Sequence, residues 1–260
     1  MVVDALSRSG FGPTVRPLIL FPAESEAGVV LVARRERQAI LGSASCVSFG
    51  ATGWIGALAV APEARRRGLG AALTRAAIAW LQERGASTVL LYATEMGRPV
   101  YERLGFESEG TATAWRGSAG AGPRGIALRT LRDEDAQAMR EVDETATGER
   151  REAVLGELGT FAGMAADRDG GLAGWAVGSR WGVGVSIAAR DADTGVALMA
   201  AATRGSQTSV LIVPDANAAA TEALRRWDFQ VANRAERMRF GPAVTWHPER
   251  QFGLFNLFWG

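Results

Sequence analysis

Three arginines and two glycines carry the most specific chemistry in this sequence. The stretch Arg65-Arg66-Arg67-Gly68-Leu69-Gly70-Ala71 follows an apolar run, Ile55 to Val60, that Pro62 ends. It opens an alanine-rich segment, Leu69 to Arg84, with the apolar spacing of an amphipathic helix. A helix that begins on glycines leaves its first N–H groups unpaired and unshielded by a Cβ. The positive end of the helix dipole adds to them, so an anion can lie directly on the main chain. The arginines supply countercharge. Two common phosphate loops do not fit, because the dinucleotide fingerprint needs three glycines and the Gly-Lys-Ser/Thr loop needs a lysine, which this chain lacks. What fits is Arg-x-x-Gly-x-Gly at Arg65, Gly68 and Gly70. An ordinary glycine-opened helix with a solvated basic turn is the competing reading.

After a short strand, Thr88 to Ala93, comes Thr94-Glu95-Met96-Gly97-Arg98-Pro99-Val100-Tyr101-Glu102-Arg103-Leu104-Gly105-Phe106, a helix bearing tyrosine followed by Gly-Phe. The two motifs in this order resemble the GNAT acetyltransferase family, whose loop of this form holds the pyrophosphate of acetyl-CoA. With Arg116 after Trp115, the run from Ala93-Thr94 to Pro99 resembles a tandem-domain bacterial subgroup in which one chain carries two such modules. That subgroup usually has Asp where this chain has Tyr92.

The resemblance implies a mixed α/β sheet and acetyl-CoA, or another acyl-CoA, as cosubstrate, with no metal. It implies cofactor contacts at Leu58, Ala59 and Val60, through Arg65, Arg66, Arg67, Gly68, Leu69, Gly70 and Ala71, and at Thr94 and Arg98. Backbone N–H groups near the end of the strand Leu58 to Val60 would polarise the thioester carbonyl where neighbouring strands splay. Tyr101 is the matched proton donor to the departing thiolate, and a phenol with pKa near 10 suits that task without ionising first. Glu95, at the sheet end where substrate enters, is the candidate base, with a solvated helix-start charge as the alternative. His247 is an outside candidate. Trp54, Tyr92 and Trp115 are candidates for the acceptor pocket, and core packing explains them equally well.

Composition bounds the rest. The chain has 260 residues and 47% hydrophobic content, enough to bury one large domain or two of about half its length. Its net charge is +1 with both signs mixed, which argues against a broad nucleic-acid or membrane surface. Cys46 is the single cysteine, so no internal disulfide forms, and its place in an alternating run suggests a buried apolar residue. His247 is the single histidine, and no metal-ligand spacing occurs. No signal peptide or membrane span is visible, so a cytoplasmic protein is expected.

Along the chain, Val3 to Ser9 and Val15 to Phe21 suggest short helical pieces, the second broken by Pro17 and Pro22. The strand that normally opens such a domain is expected to be missing. A hairpin follows, Val29 to Ala33 and Ala39 to Phe49 around Arg34-Arg35-Glu36-Arg37, then the strand Trp54 to Val60. The Gly/Ser/Ala-rich residues 118–124 form a linker. Beyond it the order repeats: a strand Ile126 to Leu131, helices capped by Asp133 and spanning Glu149 to Leu158, strands Gly171 to Gly178 and Trp181 to Ala188. A helix Asp193 to Thr203, a strand Ser209 to Val213, a helix Asn217 to Trp227 and a strand Phe229 to Phe240 complete it. Leu224 stands where Tyr101 stands, Asp228 replaces Gly105, and the loop Arg190-Asp191-Ala192-Asp193 carries carboxylates that would repel a pyrophosphate. Asp191 and Asp193 fit helix capping better than metal binding.

The expected organisation is therefore a first domain over residues 1–117, a linker over 118–124, a degenerate second domain over 125–241 and an aromatic tail over 242–260 packed on the body. The expected function is transfer of an acetyl group to a small-molecule amine by direct attack, from a monomer or homodimer without nucleic-acid or membrane partners. A non-catalytic acyl-CoA sensor and an O-acetyltransferase are the alternatives.

Overall fold

The computed structural model describes residues 15–35, 40–158, 163–178, 180–181, 184–206 and 209–260. In chain order its elements begin α1 (Val15–Glu24), β1 (Gly28–Arg34), β2 (Ile40–Phe49), β3 (Thr52–Val60), α2 (Leu69–Gln82), β4 (Thr88–Ala93), α3 (Arg98–Glu102) and β5 (Glu107–Gly117). They continue β6 (Ala127–Thr130), α4 (Ala136–Thr147), α5 (Glu152–Leu158), β7 (Met164–Arg168), β8 (Gly171–Gly178), β9 (Val185–Ala189), α6 (Ala192–Thr203), β10 (Ser209–Pro214), α7 (Ala218–Arg226), β11 (Gln230–Phe240) and β12 (Gln251–Gly253). The architecture is mixed α/β. It divides into two compact units, one of residues 1–109, 236–243 and 257–260, the other of residues 110–235 and 244–256.

In unit 1, β1, β2 and β3 pair antiparallel, β3 and β4 run parallel, and Glu236–Phe240 of β11 pairs antiparallel with β4. β3 is buried along most of its length, so it is a continuous apolar run instead of an alternating one. α2 lays Leu73, Ala77, Ile78 and Leu81, spaced three and four apart, on one face of this sheet, against Ala44, Cys46, Ile55, Val89 and Leu91. Small residues permit the approach: a Cβ at Gly53 would stand 2.4 Å from Leu81.

α1 does not break at its prolines. Pro17 lies in the first turn, where an N–H has no helical partner. Pro22 lies inside the helix and cannot donate to the carbonyl four residues back, Leu18; that carbonyl instead accepts from the indole Nε1 of Trp259 at 3.3 Å. The expected helix over Val3 to Ser9 lies outside the described residues, as do residues 36–39 of the hairpin turn.

In unit 2, β6, β7, β8 and β9 form an antiparallel series with β12 on the far edge of β9. β10 pairs antiparallel with residues 112–117 of β5. The core joins Trp115, Leu198, Met199, Leu211, Phe229 and Phe252. A buried ion pair, Arg151 to Asp143 at 2.6 Å, has its guanidinium 4.7 Å from the Phe255 ring centroid. Several expectations change here. Asp133, expected as a helix cap, opens a 3₁₀ turn, Asp133–Asp135, and α4 begins at Ala136; the strand expected from Trp181 is β9, which begins at Val185. α5 starts at Glu152 and not Glu149, because Arg151 is drawn inward to Asp143 just before the helix. β7 was not foreseen, since Met-Ala-Ala-Asp-Arg has little intrinsic strand preference and becomes a strand by pairing with β6 and β8.

Candidate active site

The sheet of unit 1 opens at one place. β3 and β4 pair in parallel from Thr52↔Thr88 to Ile55↔Leu91, and the ladder stops there. Immediately beyond it β3 bulges: Ser45 pairs with Gly56 and Ser43 with Ala59, so two residues of β3 face one of β2. Ala57, 2% exposed, takes the left-handed conformation at φ 44°, a strained backbone for a residue with a Cβ. The bulge turns β3 away from β4 where Leu58, Ala59 and Val60 lead to the basic loop.

That loop makes a short 3₁₀ turn, Pro62–Ala64, and then passes through left-handed positions at Arg66 (φ 60°) and Gly68 (φ 80°). Gly68 caps α2 with no side-chain hydrogen bond, and the helical ladder begins with Ala72 N donating to Gly68 O at 3.0 Å. The N–H groups of the first turn therefore have no helical acceptor. A Cβ at Gly68 would meet nothing within 4 Å, and one at Gly70 would come only to 3.9 Å from Val60 and 4.0 Å from Leu58. The fold does not require glycine for space at Gly70, so room is left over the helix start. Arg65, Arg66 and Arg67 are exposed around it, and Arg65 Nε donates to Val60 O at 3.0 Å, tying the loop to the end of β3.

Tyr101 lies on α3, after β4, on the same face as α2. It is 8% exposed and meets Phe106 edge-on at 5.8 Å between ring centroids. Burial pushes its phenol up to about 12, so it stays protonated throughout the neutral range. Glu95 is exposed on the turn between β4 and α3. Thr94 Oγ1 accepts from Gly97 N at 3.2 Å, fixing that turn. Arg98 forms ion pairs with Glu102 at 2.7 Å and Glu236 at 2.9 Å.

The opposite face of β3 and β4 carries Trp54 and Tyr92, stacked at 5.4 Å and 24°. Arg237 of β11 pairs with Tyr92 across the ladder, sets its guanidinium 4.9 Å from the Trp54 ring centroid and donates to Glu109 at 2.9 Å. Glu109 and Arg237 are far apart in sequence and neither stands in a motif, so no local pattern announces them. Trp115 is placed in the core of unit 2. Cys46 is fully buried, and burial pushes its thiol up to about 12, as suits an inert core residue. His247 belongs to unit 2, its ring 3.1 Å from Glu249.

In unit 2 the place matching the β3–β4 opening is filled by the chain itself. Among the described residues, Gly184, just before β9, makes an isolated parallel bridge to Val210 of β10. β12 then pairs with β9, and Leu254 N donates to Ile212 O of β10 at 2.8 Å. The Phe252 ring packs directly on Gly195 of α6, where a Cβ would come within 2.3 Å of it. Asp191 caps α6, accepting from Thr194 N at 3.0 Å and pairing with Arg168 at 3.2 Å. Burial raises its carboxyl, but the bonds from Thr194 and the charge of Arg168 prevail and hold it below the usual range. Among the described residues no group of three or more His, Cys, Asp or Glu side chains is placed to hold a metal ion, and no helix is long and apolar enough to cross a membrane.

Comparison with known proteins gives the family and the fold. Residues 7–106 match the model of the acetyltransferase (GNAT) family, and residues 139–253 match a second model, an acetyltransferase (GNAT) domain. A stretch of 68 residues is 41% identical to a mycothiol acetyltransferase of Rhodococcus jostii, covering 25% of this chain and 22% of that protein. A proposed acetyltransferase from Pyrococcus horikoshii superposes with a TM-score of 0.82 at 16% identity, over 100% of this chain and 91% of that one. A tandem GNAT protein from the clavulanic acid biosynthesis pathway superposes with a TM-score of 0.56 at 14% identity, over 93% and 94% of the two chains. At such identities these structures speak for the fold. The chain belongs to the GNAT acetyltransferase family and carries two of its domains in tandem.

Proposed function

We propose that unit 1 transfers an acetyl group from acetyl-CoA to a small-molecule amine and that unit 2 binds no cofactor. The carrying observation is the end of the β3–β4 ladder at Ile55↔Leu91, with the Ala57 bulge leading straight into a glycine-opened helix start. The pyrophosphate would lie on the main-chain N–H groups at the start of α2, with Arg65, Arg66 and Arg67 around it. The thioester would lie in the opening, where the backbone of Leu58 to Val60 polarises its carbonyl. The amine nitrogen attacks the carbonyl carbon and forms the C–N bond. The C–S bond then breaks with its electron pair on sulfur, and the Tyr101 hydroxyl gives that sulfur a proton. Glu95 is the candidate acceptor of the proton from nitrogen, directly or through water. Thr94 would contribute by shaping the turn; Arg98, engaged by two carboxylates, has less to offer a phosphate.

The local identity to a mycothiol acetyltransferase supports acetyl transfer and covers too little of either chain to bring an acceptor with it. Incubation of the protein and acetyl-CoA with a panel of amines and alcohols, followed by thiol release and product mass, tests the proposal. Amine-dependent thiol release with N-acetylated product is expected. Binding of acetyl-CoA without turnover would instead identify a sensor, and transfer to alcohols alone an O-acetyltransferase.

A further inference from the structure

Unit 1 also contains residues 257–260, and their position bears on which acceptors can enter. α2 and Tyr101 pack on the face of the sheet that holds Ile55 and Leu91. Cofactor gripped at the start of α2 reaches the opening from that side, so an acceptor attacks from the other. On that other side the neighbour of the opening is Phe258. A Cβ placed at Gly56, the first residue of β3 beyond the ladder, would stand 2.2 Å from Phe258 O and 2.6 Å from Phe258 Cβ. The Phe258 backbone thus lies directly on β3.

Trp259 holds the segment there. It is fully buried, its ring 5.3 Å from Phe21 of α1, and its indole N–H occupies the Leu18 carbonyl that Pro22 cannot serve. Ser45 stands directly opposite Gly56 in the β2–β3 ladder and Ser43 lies two residues away on the same strand face. Both serines are 1% exposed, and among the described residues neither Oγ has a hydrogen-bond partner. Two unsatisfied hydroxyls on one buried face are costly unless something polar meets them.

We propose that Ser43 and Ser45 are the polar contacts of the acceptor pocket and that Phe258, held in place by Trp259, is its wall, so that unit 1 selects small amines bearing a second hydrogen-bonding group. This rests on the acetyl-transfer reading above. Polarity is set by the serines and size by the wall. Each hydroxyl adds a hydrogen bond that an apolar acceptor of the same shape would leave unmade.

Ethanolamine and propylamine match in shape but not in basicity, so the direct test is the change in their kcat/KM ratio between the unaltered protein and the variant, in which the difference in basicity cancels. Ser43→Ala with Ser45→Ala should lower the ratio of ethanolamine to propylamine about two- to tenfold, the worth of one or two neutral hydrogen bonds, while leaving the KM for acetyl-CoA unchanged. Trp259→Ala should raise the rate with branched amines relative to ethanolamine. Because the serine variant hardly alters shape, it keeps the test valid if Trp259→Ala fails to fold. A ratio that survives the double serine change overturns the inference and leaves acetyl transfer standing. No transfer by the unaltered protein to any amine overturns both.

Discussion

Replacing Gly70 by aspartate separates the fold from cofactor binding, because the structure gives the two effects opposite signs. Gly70 is the second residue of α2, and a Cβ there makes only ordinary contacts, 3.9 Å to Val60 and 4.0 Å to Leu58. A carboxylate in the first turn is favourable to the helix by about 0.3–1 kcal/mol, and losing a helical glycine adds a few tenths more. Folding should be unharmed or slightly strengthened. For a bound pyrophosphate the same carboxylate is a like charge about 5 Å away. At an effective dielectric of about 20 this is roughly 3 kcal/mol for each pair of unit charges, or a loss of about 100-fold in affinity. Isothermal calorimetry with acetyl-CoA, beside a thermal melt, reads both effects. The unaltered protein should bind one molecule per chain and Gly70→Asp essentially none, with no fall in melting temperature. Two molecules per chain, or unchanged affinity in the variant, would refute the assignment of the site to this loop.

Other consequences concern the frame of the site. Tyr101 and Cys46 are both raised by burial to about 12, from 10.0 and 9.0. What they contribute to stability is therefore complete below the unfolded values and lost as pH rises towards 12. Urea unfolding should weaken by about 4 kcal/mol between pH 7 and pH 11 from these two groups together, and a flat profile to pH 11 would contradict their burial. Asp143→Ala removes the buried carboxylate that Arg151 meets at 2.6 Å and should cost about 3–5 kcal/mol, most of it recovered in Asp143→Leu with Arg151→Met; a loss under about 1 kcal/mol by chemical denaturation would mean that the pair contributes little. Ala57→Gly should keep or raise stability by up to about 1 kcal/mol, since glycine accepts φ 44° freely, whereas Ala57→Val should lower it by about 2 kcal/mol or more, as measured by thermal melts.

The parts of the molecule legible in the sequence are those whose signals are local. β4 and β8 fall on the expected residues because continuous apolar runs are bounded by turn formers. α2 starts at Leu69 because Gly68 marks the cap, and the capping role expected of Asp191 appears as its bond from Thr194 N. What was not legible depends on distant partners. The splay near Leu58 to Val60 is expected from the resemblance alone, and no local signal puts the left-handed residue at Ala57, since glycine would be the usual one; the strain is imposed by β2 and by the end of the β4 ladder. Pro22 suggested a broken helix because the indole that takes the freed carbonyl lies at Trp259. The aromatic run at the end of the chain shows that it must be covered, yet only the fold shows it divided. Phe252 and Phe255 are buried in unit 2 and Trp259 in unit 1. The alternating run around Cys46 implies one solvent-facing side for its strand, yet Ser43 and Ser45 are buried, because both faces of β2 are covered.

The central claim, that unit 1 transfers acetyl groups with Tyr101 as proton donor, is tested most directly by kcat for Tyr101→Phe, measured with a saturating amine and beside its affinity for acetyl-CoA. Phenylalanine fills the same buried space without the hydroxyl, so kcat should fall by roughly 100- to 10,000-fold while acetyl-CoA affinity changes less than about twofold. An unaltered kcat would contradict the claim, leaving Tyr101 as packing and the thiolate protonated from elsewhere.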